Sequence, residues 1–218
     1  DRAEPVREAV RAYAARQPQL TAATGAWVTL VRTLLDDAGI DYLSVTGRTK
    51  SVASFSAKAS RSDGDRLLYP DPLEQITDQI GVRVITYVHS DVAAVAELLD
   101  DELTILDDRD LGEETARSGR FGYASRHLLV RADGGEEDHA DLAGERASIQ
   151  VRTVLQHAWA EFEHDIRYKG NVPEDAAADL DRRFTLAAGL IELADREFAT
   201  IRERIQAAAP DSLTELDA

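Results

Sequence analysis

A short run of basic and hydroxyl side chains has the spacing of a polyphosphate site. Arg48 and Lys50 follow a strand candidate, and Ser54 and Lys58 come after them at intervals of four residues. Residues four apart share one face of a helix, so Lys50, Ser54 and Lys58 can converge on one anion. Helix-start amides add to that attraction, and Arg48 offers a planar cation for a base or an oxygen. The pattern indicates triphosphate binding, with a solvated basic helix face as the alternative.

A second group places a carboxylate and an arginine at the start of an apolar strand. Asp78 stands just before this strand. Its carboxylate could bind Mg²⁺ together with substrate phosphates, or it could cap a helix or turn. Arg83 lies between Val82 and Val84 and must face the opposite side of the strand. A buried guanidinium there needs a partner, which a ligand or a structural carboxylate would supply.

A third group surrounds a turn that leads into another strand. It combines arginines, an aromatic ring and a histidine, namely Arg117, Arg120, Tyr123, Arg126 and His127. A tyrosine ring can stack on a base while arginines hold phosphates. Taken singly, a tyrosine like Tyr123 more often packs in a core, and a histidine like His127 is more often a hydrogen-bonded strand residue.

The hydrophobic pattern predicts alternating strands and helices that would position these groups. Predicted strands cover residues 42–46, 82–88, 103–106, 125–130 and 148–152, the first ended by Gly47 and the last with Ile149 and Val151 on one face. Predicted helices cover 2–37, as two helices broken near Gln17 and Pro18, and 51–60, 92–99, 153–168 and 176–208. Segments 62–72 and 107–122 are expected to be loops, and 133–144 a hairpin or mobile tip.

Composition limits the class of protein. The chain has 218 residues, 44% of them hydrophobic, which suits one substantial core. Its formal net charge of -16 disfavours nonspecific contact with nucleic acid or anionic lipid. Cysteine is absent, no apolar run is long enough to span a bilayer, and a cytoplasmic location is the default expectation. A start at Asp1 rather than Met suggests a processed or excised fragment.

Two further motifs complete a recognisable series. Ile149-Gln150-Val151-Arg152-Thr153 is followed by a helical stretch from His157 to His164 that reads HAWAEFEH. In residue identity, order and spacing, the whole series over about residues 42–170 resembles the synthetase domain of the RelA/SpoT alarmone synthetases. The resemblance implies an α+β fold, a mixed β-sheet of nucleotidyltransferase type flanked by helices. Its expected parts are N-terminal helices over 1–40, the synthetase domain over 41–170, and a C-terminal helix and tail over 171–218.

The resemblance also implies a reaction and the residues that serve it. Family members move the β,γ-pyrophosphate of ATP to the ribose 3′-hydroxyl of GTP or GDP, with Mg²⁺. Arg48 and Arg83 match arginines that sandwich the adenine, and Asp78 matches the Mg²⁺ ligand. The matches to the ATP phosphate binders are Lys50, Ser54 and Lys58.

The same resemblance assigns the acceptor side. Tyr123 matches the ring that stacks on guanine, His127 lies beside the acceptor, and His157 faces the guanine edge. Arg117 and Arg120 stand where basic residues meet the acceptor phosphates. Two residues of the strand motif complete the assignment, Gln150 at the acceptor and Arg152 at the catalytic centre.

Ser148 departs from the family at a catalytic position. Family members usually carry a glutamate there, credited with holding Mg²⁺ or activating the 3′-hydroxyl. A serine hydroxyl is neutral and cannot act as a general base near neutral pH without help. Glu145 would compensate only if the strand began later, because its odd spacing from Ser148 places it on the opposite face.

Three functions therefore remain open from the sequence. The first is active synthesis of (p)ppGpp, and the second is a nucleotide-binding regulatory module whose chemistry was lost with Ser148. The third is pyrophosphate transfer to an adenine nucleotide or an RNA 3′ end, against which the negative charge argues mildly. No paired His and Asp series of a hydrolase precedes the domain, and the compact length resembles the small single-domain branch. The terminal helices are expected to pack on the domain or to join subunits in a homo-oligomer.

Overall fold

A five-stranded mixed sheet forms the centre of the molecule. The computed structural model describes residues 3–117, 125–132, 142, 144–169 and 174–208. The strands are β1 (Ser44–Thr49), β4 (Ile80–Thr86), β5 (Thr104–Asp110), β6 (Arg126–Arg131) and β7 (Arg146–Thr153), in the order β1-β4-β7-β6-β5. Among the described strands, β4 and β7 form the only parallel pair. The α+β class and the mixed sheet are confirmed.

Helices flank this sheet and connect its strands. They are α1 (Ala3–Asp37), α2 (Val52–Ala59), α3 (Pro72–Gln75), α4 (His89–Glu102), α5 (Leu111–Arg117), α6 (Val154–Lys169) and α7 (Glu174–Ala208). The predicted loop over 62–72 contains a hairpin of β2 (Ser62–Asp63) and β3 (Arg66–Leu67). The predicted loop over 107–122 is wrong where the structure describes it, because β5 continues to Asp110 and α5 follows. Nearly all of the predicted hairpin over 133–144 lies outside the described residues.

The N-terminal helix is one element and not the two that Pro18 predicted. Proline in a helix interior removes one hydrogen bond and costs about 3 kcal/mol. Tyr13, Leu20 and Trp27 recur every seven residues on both sides of it and are at most 2% exposed. Burying each such side chain contributes roughly 1.5–3 kcal/mol, so packing of the continuous face outweighs the proline.

Gly47 lies inside β1 and does not end it, contrary to the prediction. A Cβ at this position would lie 2.6 Å from Cγ2 of Val28 and 2.7 Å from Cγ2 of Thr24, both on α1. Glycine therefore permits close packing of the helix on the strand that carries Arg48.

Substitution of Gly47 by alanine is expected to destabilise the protein by about 1–3 kcal/mol, because β-branched neighbours in a helix have little rotamer freedom. The matched control is Gly25→Ala, since a Cβ at Gly25 meets nothing within 4 Å and alanine is the better helix former. Urea unfolding should move the two midpoints in opposite directions. Equal midpoints for both variants would contradict this packing.

The C-terminal helix α7 is anchored by polar contacts and a small apolar cluster. Thr153 Oγ1 donates to Asp195 Oδ2 at 2.7 Å, and Arg202 Nη1 donates to Asp91 Oδ2 at 2.9 Å. Trp159 on α6 packs with Ala188 on α7. These contacts tie α7 to the end of β7, to α4 and to α6, the helix that covers the site face of the sheet.

Candidate functional site

Two lysines of the basic cluster contact one carboxylate, that of Asp78. Lys50 Nζ donates to Asp78 Oδ2 at 2.7 Å, and Lys58 Nζ donates to Asp78 Oδ1 at 3.1 Å. The whole chain contains only three lysines, so two of them converging on Asp78 makes this a concentrated site of positive charge. Lys50 and Lys58, which the sequence predicts to converge on one anion, both contact Asp78, and their binding of ATP phosphates stays a prediction.

The Asp78 carboxyl titrates at unusually low pH because of these lysines. Burial alone would raise its pKa, but the hydrogen bonds and charges of Lys50 and Lys58 outweigh burial and lower the pKa below the usual value. A lowered carboxyl pKa contributes stability above the unfolded pKa, and that contribution is lost as pH falls through the folded value. The carboxylate is therefore ionised at neutral pH.

Local structure fixes the position of this cluster. The Tyr13 hydroxyl donates to the Lys50 carbonyl at 2.7 Å, and its ring stacks on Phe55 of α2 with centroids 4.0 Å apart. Ser51 caps α2, accepting from the Ser54 amide at 3.1 Å. The long helix α1 thereby holds both the end of β1 and the start of α2, which carry the predicted phosphate binders.

One cavity of about 490 Å³ lies between the basic cluster and the motif on β7. Its described lining consists of Thr46, Gly47, Arg48, Lys50, Ser54, Asp78, Gly81, Val82, Arg83, Ser148, Gln150, Glu161 and His164. All predicted ATP-binding residues line it except Lys58, which donates a hydrogen bond to Asp78. The basic cluster of β1 and α2 and the motif of β7 thus open into the same space.

Arg83 has a structural carboxylate as its partner. Val82 and Val84 are buried on the core face, and Arg83 points the other way, where its Nη1 donates to Glu161 Oε1 at 3.0 Å. The same oxygen lies 3.8 Å from Arg152 Nη2 and 3.7 Å from His157 Nδ1. Glu161 therefore lies beside two arginines and a histidine. The sequence patterns alone did not predict a functional role for it. Its spacing of four from His157 on α6 was the available signal.

The predicted acceptor residues Gln150 and His127 lie on neighbouring strands of the sheet. His127 stands opposite Gln150 in the register of β6 and β7. Burial, followed by the charge of Arg152, lowers the pKa of His127 and also that of His157. Both imidazoles are therefore neutral at physiological pH. Arg152 is 2% exposed, and its Nη2 lies 3.8 Å from Glu161 Oε1.

Arg117 is not among the described residues that line the cavity. Arg117 pairs with Glu113 at 2.6 Å on α5 and is 71% exposed. Arg120 and Tyr123 lie outside the described residues. Ser148 lines the cavity as expected, whereas Glu145 pairs with Arg16 and lines a separate cavity of about 290 Å³. Compensation of Ser148 by Glu145 is thus excluded by position.

Comparison with known proteins decides the family. The model described as a region found in RelA / SpoT proteins matches residues 47–172, more than half of the chain. The chain belongs to the RelA/SpoT family. A curated relative, GTP pyrophosphokinase YjbM of Bacillus subtilis, is 33% identical over 180 residues that cover 79% of this chain and 77% of the relative.

Solved structures of RelA/SpoT proteins share the fold. The small alarmone synthetase 1 from Bacillus subtilis superposes with a TM-score of 0.67 and 26% identity, covering 87% of this chain and 95% of that one. Its complex with the product pppGpp gives a TM-score of 0.62 and 28% identity over 88% and 96% of the two chains. The RelA/SpoT match begins in β1 at Gly47 and ends beyond α6, so it includes every described lining residue of the cavity except Thr46.

No described helix combines the length and the apolar character that crossing a membrane would require.

Proposed function

We propose that this RelA/SpoT protein transfers the β,γ-pyrophosphate of ATP to the ribose 3′-hydroxyl of GTP or GDP, making (p)ppGpp. The observation that carries the proposal is one cavity lined both by Lys50 and Ser54 and by the polar side chains of β7, Ser148 and Gln150. Similarity to a GTP pyrophosphokinase and to a synthetase bound to pppGpp supports the choice of nucleotides.

The donor end of the cavity has the charges that a triphosphate needs. Lys50 and Ser54 line it beside the capped start of α2, and Lys58 reaches the same carboxylate as Lys50. Arg48 is exposed on β1, opposite Gly81, and Arg83 lies two residues further along β4. The two guanidinium groups would hold the adenine between them while the lysines leave Asp78 for the phosphates.

The site suits Mg²⁺ as a substrate-bound ion. No group of three or more potential metal ligands occurs in the described part of the chain, so a site built from protein alone is absent there. Mg²⁺ commonly uses one or two carboxylates together with substrate phosphates. Asp78 fits that role, since its side chain is 41% exposed and faces the cavity beside the phosphate-binding lysines. When bound, the ion would neutralise charge on the transferred phosphates.

In the proposed reaction, the chain holds two nucleotides in line. The acceptor 3′-oxygen attacks the β-phosphorus of ATP, the bond from that phosphorus to the α,β-bridging oxygen breaks, and AMP leaves. Lys50 and Lys58 stabilise charge on the transferred group. Gln150 on β7 and His127 on β6, which are cross-strand neighbours, would hold the acceptor sugar or base. Positioning and charge supply most of the rate.

An assay of products with several acceptors tests this function. The protein is incubated with ATP, Mg²⁺ and either GTP, GDP, an adenine nucleotide or an RNA oligonucleotide, and products are separated by anion exchange. A guanosine product carrying two additional phosphates is expected. Product only on adenine nucleotides or RNA supports the third function, and nucleotide binding without product supports the regulatory module, which Ser148 in the lining favours.

The exposed face of α7 also joins subunits in the proposed assembly, a homo-oligomer. Five large apolar side chains on this helix are at least 52% exposed, namely Leu186, Leu190, Leu193, Ile201 and Ile205. Apolar surface at helical spacing favours burial against another surface. Light scattering should give a mass above that of one chain for the wild type and a lower mass for Leu190→Glu/Leu193→Glu. A monomeric wild type contradicts this assembly.

A further inference from the structure

The cavity contains a second carboxylate with an oxygen to spare. Among the described lining residues, only Asp78 and Glu161 carry carboxylates. Both oxygens of Asp78 accept hydrogen bonds from lysines. Glu161 makes its contacts with Arg83, Arg152 and His157 through Oε1 alone. Within the described part of the chain, Oε2 of Glu161 has no such contact and is available to another donor.

The position of Glu161 relates it to the strand that lacks a carboxylate. Arg83 stands opposite Gln150 in the parallel register of β4 and β7, and Ser148 stands opposite Gly81 two residues earlier on the same face. Glu161 reaches across this face from α6 to Arg83 and toward Arg152. Its side chain is 55% exposed, so a ligand can reach it. The Glu161 carboxylate therefore lies on the same face of the sheet as Ser148, whose side chain offers only a hydroxyl.

Oε1 is restrained by two arginines from different strands. Arg83 on β4 donates to it at 3.0 Å, and Nη2 of Arg152 on β7 lies 3.8 Å away. Nδ1 of His157 is buried and has no hydrogen-bond partner among the described residues, so the ring contributes no competing bond. This restraint orients the carboxylate, which is what an efficient proton acceptor requires.

We propose that Glu161 is the general base for the acceptor hydroxyl. The inference rests on the proposed function and names a further catalytic residue for it. As the 3′-oxygen forms its bond to the β-phosphorus of ATP, the hydroxyl proton moves to Oε2 of Glu161 and later to solvent. The electron pair of the broken bond leaves with AMP on its α-phosphate oxygen. Glu161 thereby supplies the function that Ser148 cannot.

The decisive variant is Glu161→Gln, which keeps an oxygen for Arg83 but cannot accept the proton. We expect kcat to fall by roughly 10²- to 10⁴-fold, with the Kd for ATP changed less than about threefold and the acid limb of the kcat pH profile lost. Adding Ser148→Glu should restore at least about tenfold of that activity, because it returns a carboxylate to the same face. Glu97→Gln on exposed α4 is the matched control and should keep wild-type kcat.

Three results would overturn the assignment. The first is a Glu161→Gln enzyme with kcat within about threefold of wild type. The second is a loss confined to ATP affinity, which would make Glu161 only a positioning partner of Arg83. The third is an unchanged acid limb that disappears in His127→Ala instead. An inactive wild type contradicts the proposed function itself, whereas an active wild type matched by Glu161→Gln contradicts only this inference.

Discussion

Replacement of Asp78 by alanine is expected to lower kcat for pyrophosphate transfer by roughly 10²- to 10³-fold, the usual cost of removing one group that stabilises transition-state charge. The structure gives the reason, since Asp78 is the only described carboxylate between Lys50 and Lys58 in the cavity. Without it, Mg²⁺ loses its proposed protein ligand while the lysines remain.

Binding without metal separates this role from a structural one. In the variant both lysines are free of their carboxylate, so ATP in the presence of EDTA should bind at least as tightly as to wild type. Asp100→Ala, a change at an exposed position on α4, is the control and should alter neither quantity. Full activity in Asp78→Ala would remove Asp78 from the reaction, and parallel losses of folding and ATP binding would make it structural.

Replacement of Lys50 by alanine is expected to raise the KM for ATP by about 10- to 150-fold, because a hydrogen bond to a charged group contributes about 1.5–3 kcal/mol. Lys50 is 15% exposed in its side chain, which limits screening by solvent, and its backbone is held by Tyr13. The loss should shrink as salt increases, since salt weakens the wild-type attraction. Steady-state kinetics at two ionic strengths measures both effects.

Folding is expected to survive this substitution. Asp78 keeps its hydrogen bond to Lys58, and the Tyr13 hydroxyl bonds the backbone of residue 50 and not its side chain. The control is Arg61→Ala, an exposed basic residue just beyond α2. An unchanged KM for ATP in Lys50→Ala, or an equal change in Arg61→Ala, would show that general charge attracts the nucleotide.

Short-range patterns predicted the parts of the site that depend on neighbouring residues. Ser51 and the alanine-rich stretch after it specify a capped helix, and α2 begins and ends within one residue of the prediction. Alternation on β7 placed Ile149 and Val151 in the core, both fully buried, with Ser148 and Gln150 on the cavity face. In such segments the local preference and the final structure agree.

Contacts between distant residues could not be predicted in this way. Arg83 and Glu161 are 78 positions apart, and nothing in either segment alone specifies their meeting. The continuity of α1 through Pro18 depends on a buried face formed with the sheet and α2. Glycine is needed at position 47 because α1 packs closely on β1 there, and the local sequence does not show that contact. Tertiary packing overrides local propensity in each case.

The most direct measurement follows AMP and the guanosine product together in one reaction of wild-type protein with ATP, GDP and Mg²⁺. Because one cavity is assigned to both nucleotides, AMP should appear only when the acceptor is present, in equal amount to a product whose two new phosphates are on the 3′ position. Phosphorus NMR of the purified product establishes that position. AMP released with free pyrophosphate in the absence of acceptor, or no AMP under any condition, would contradict the account.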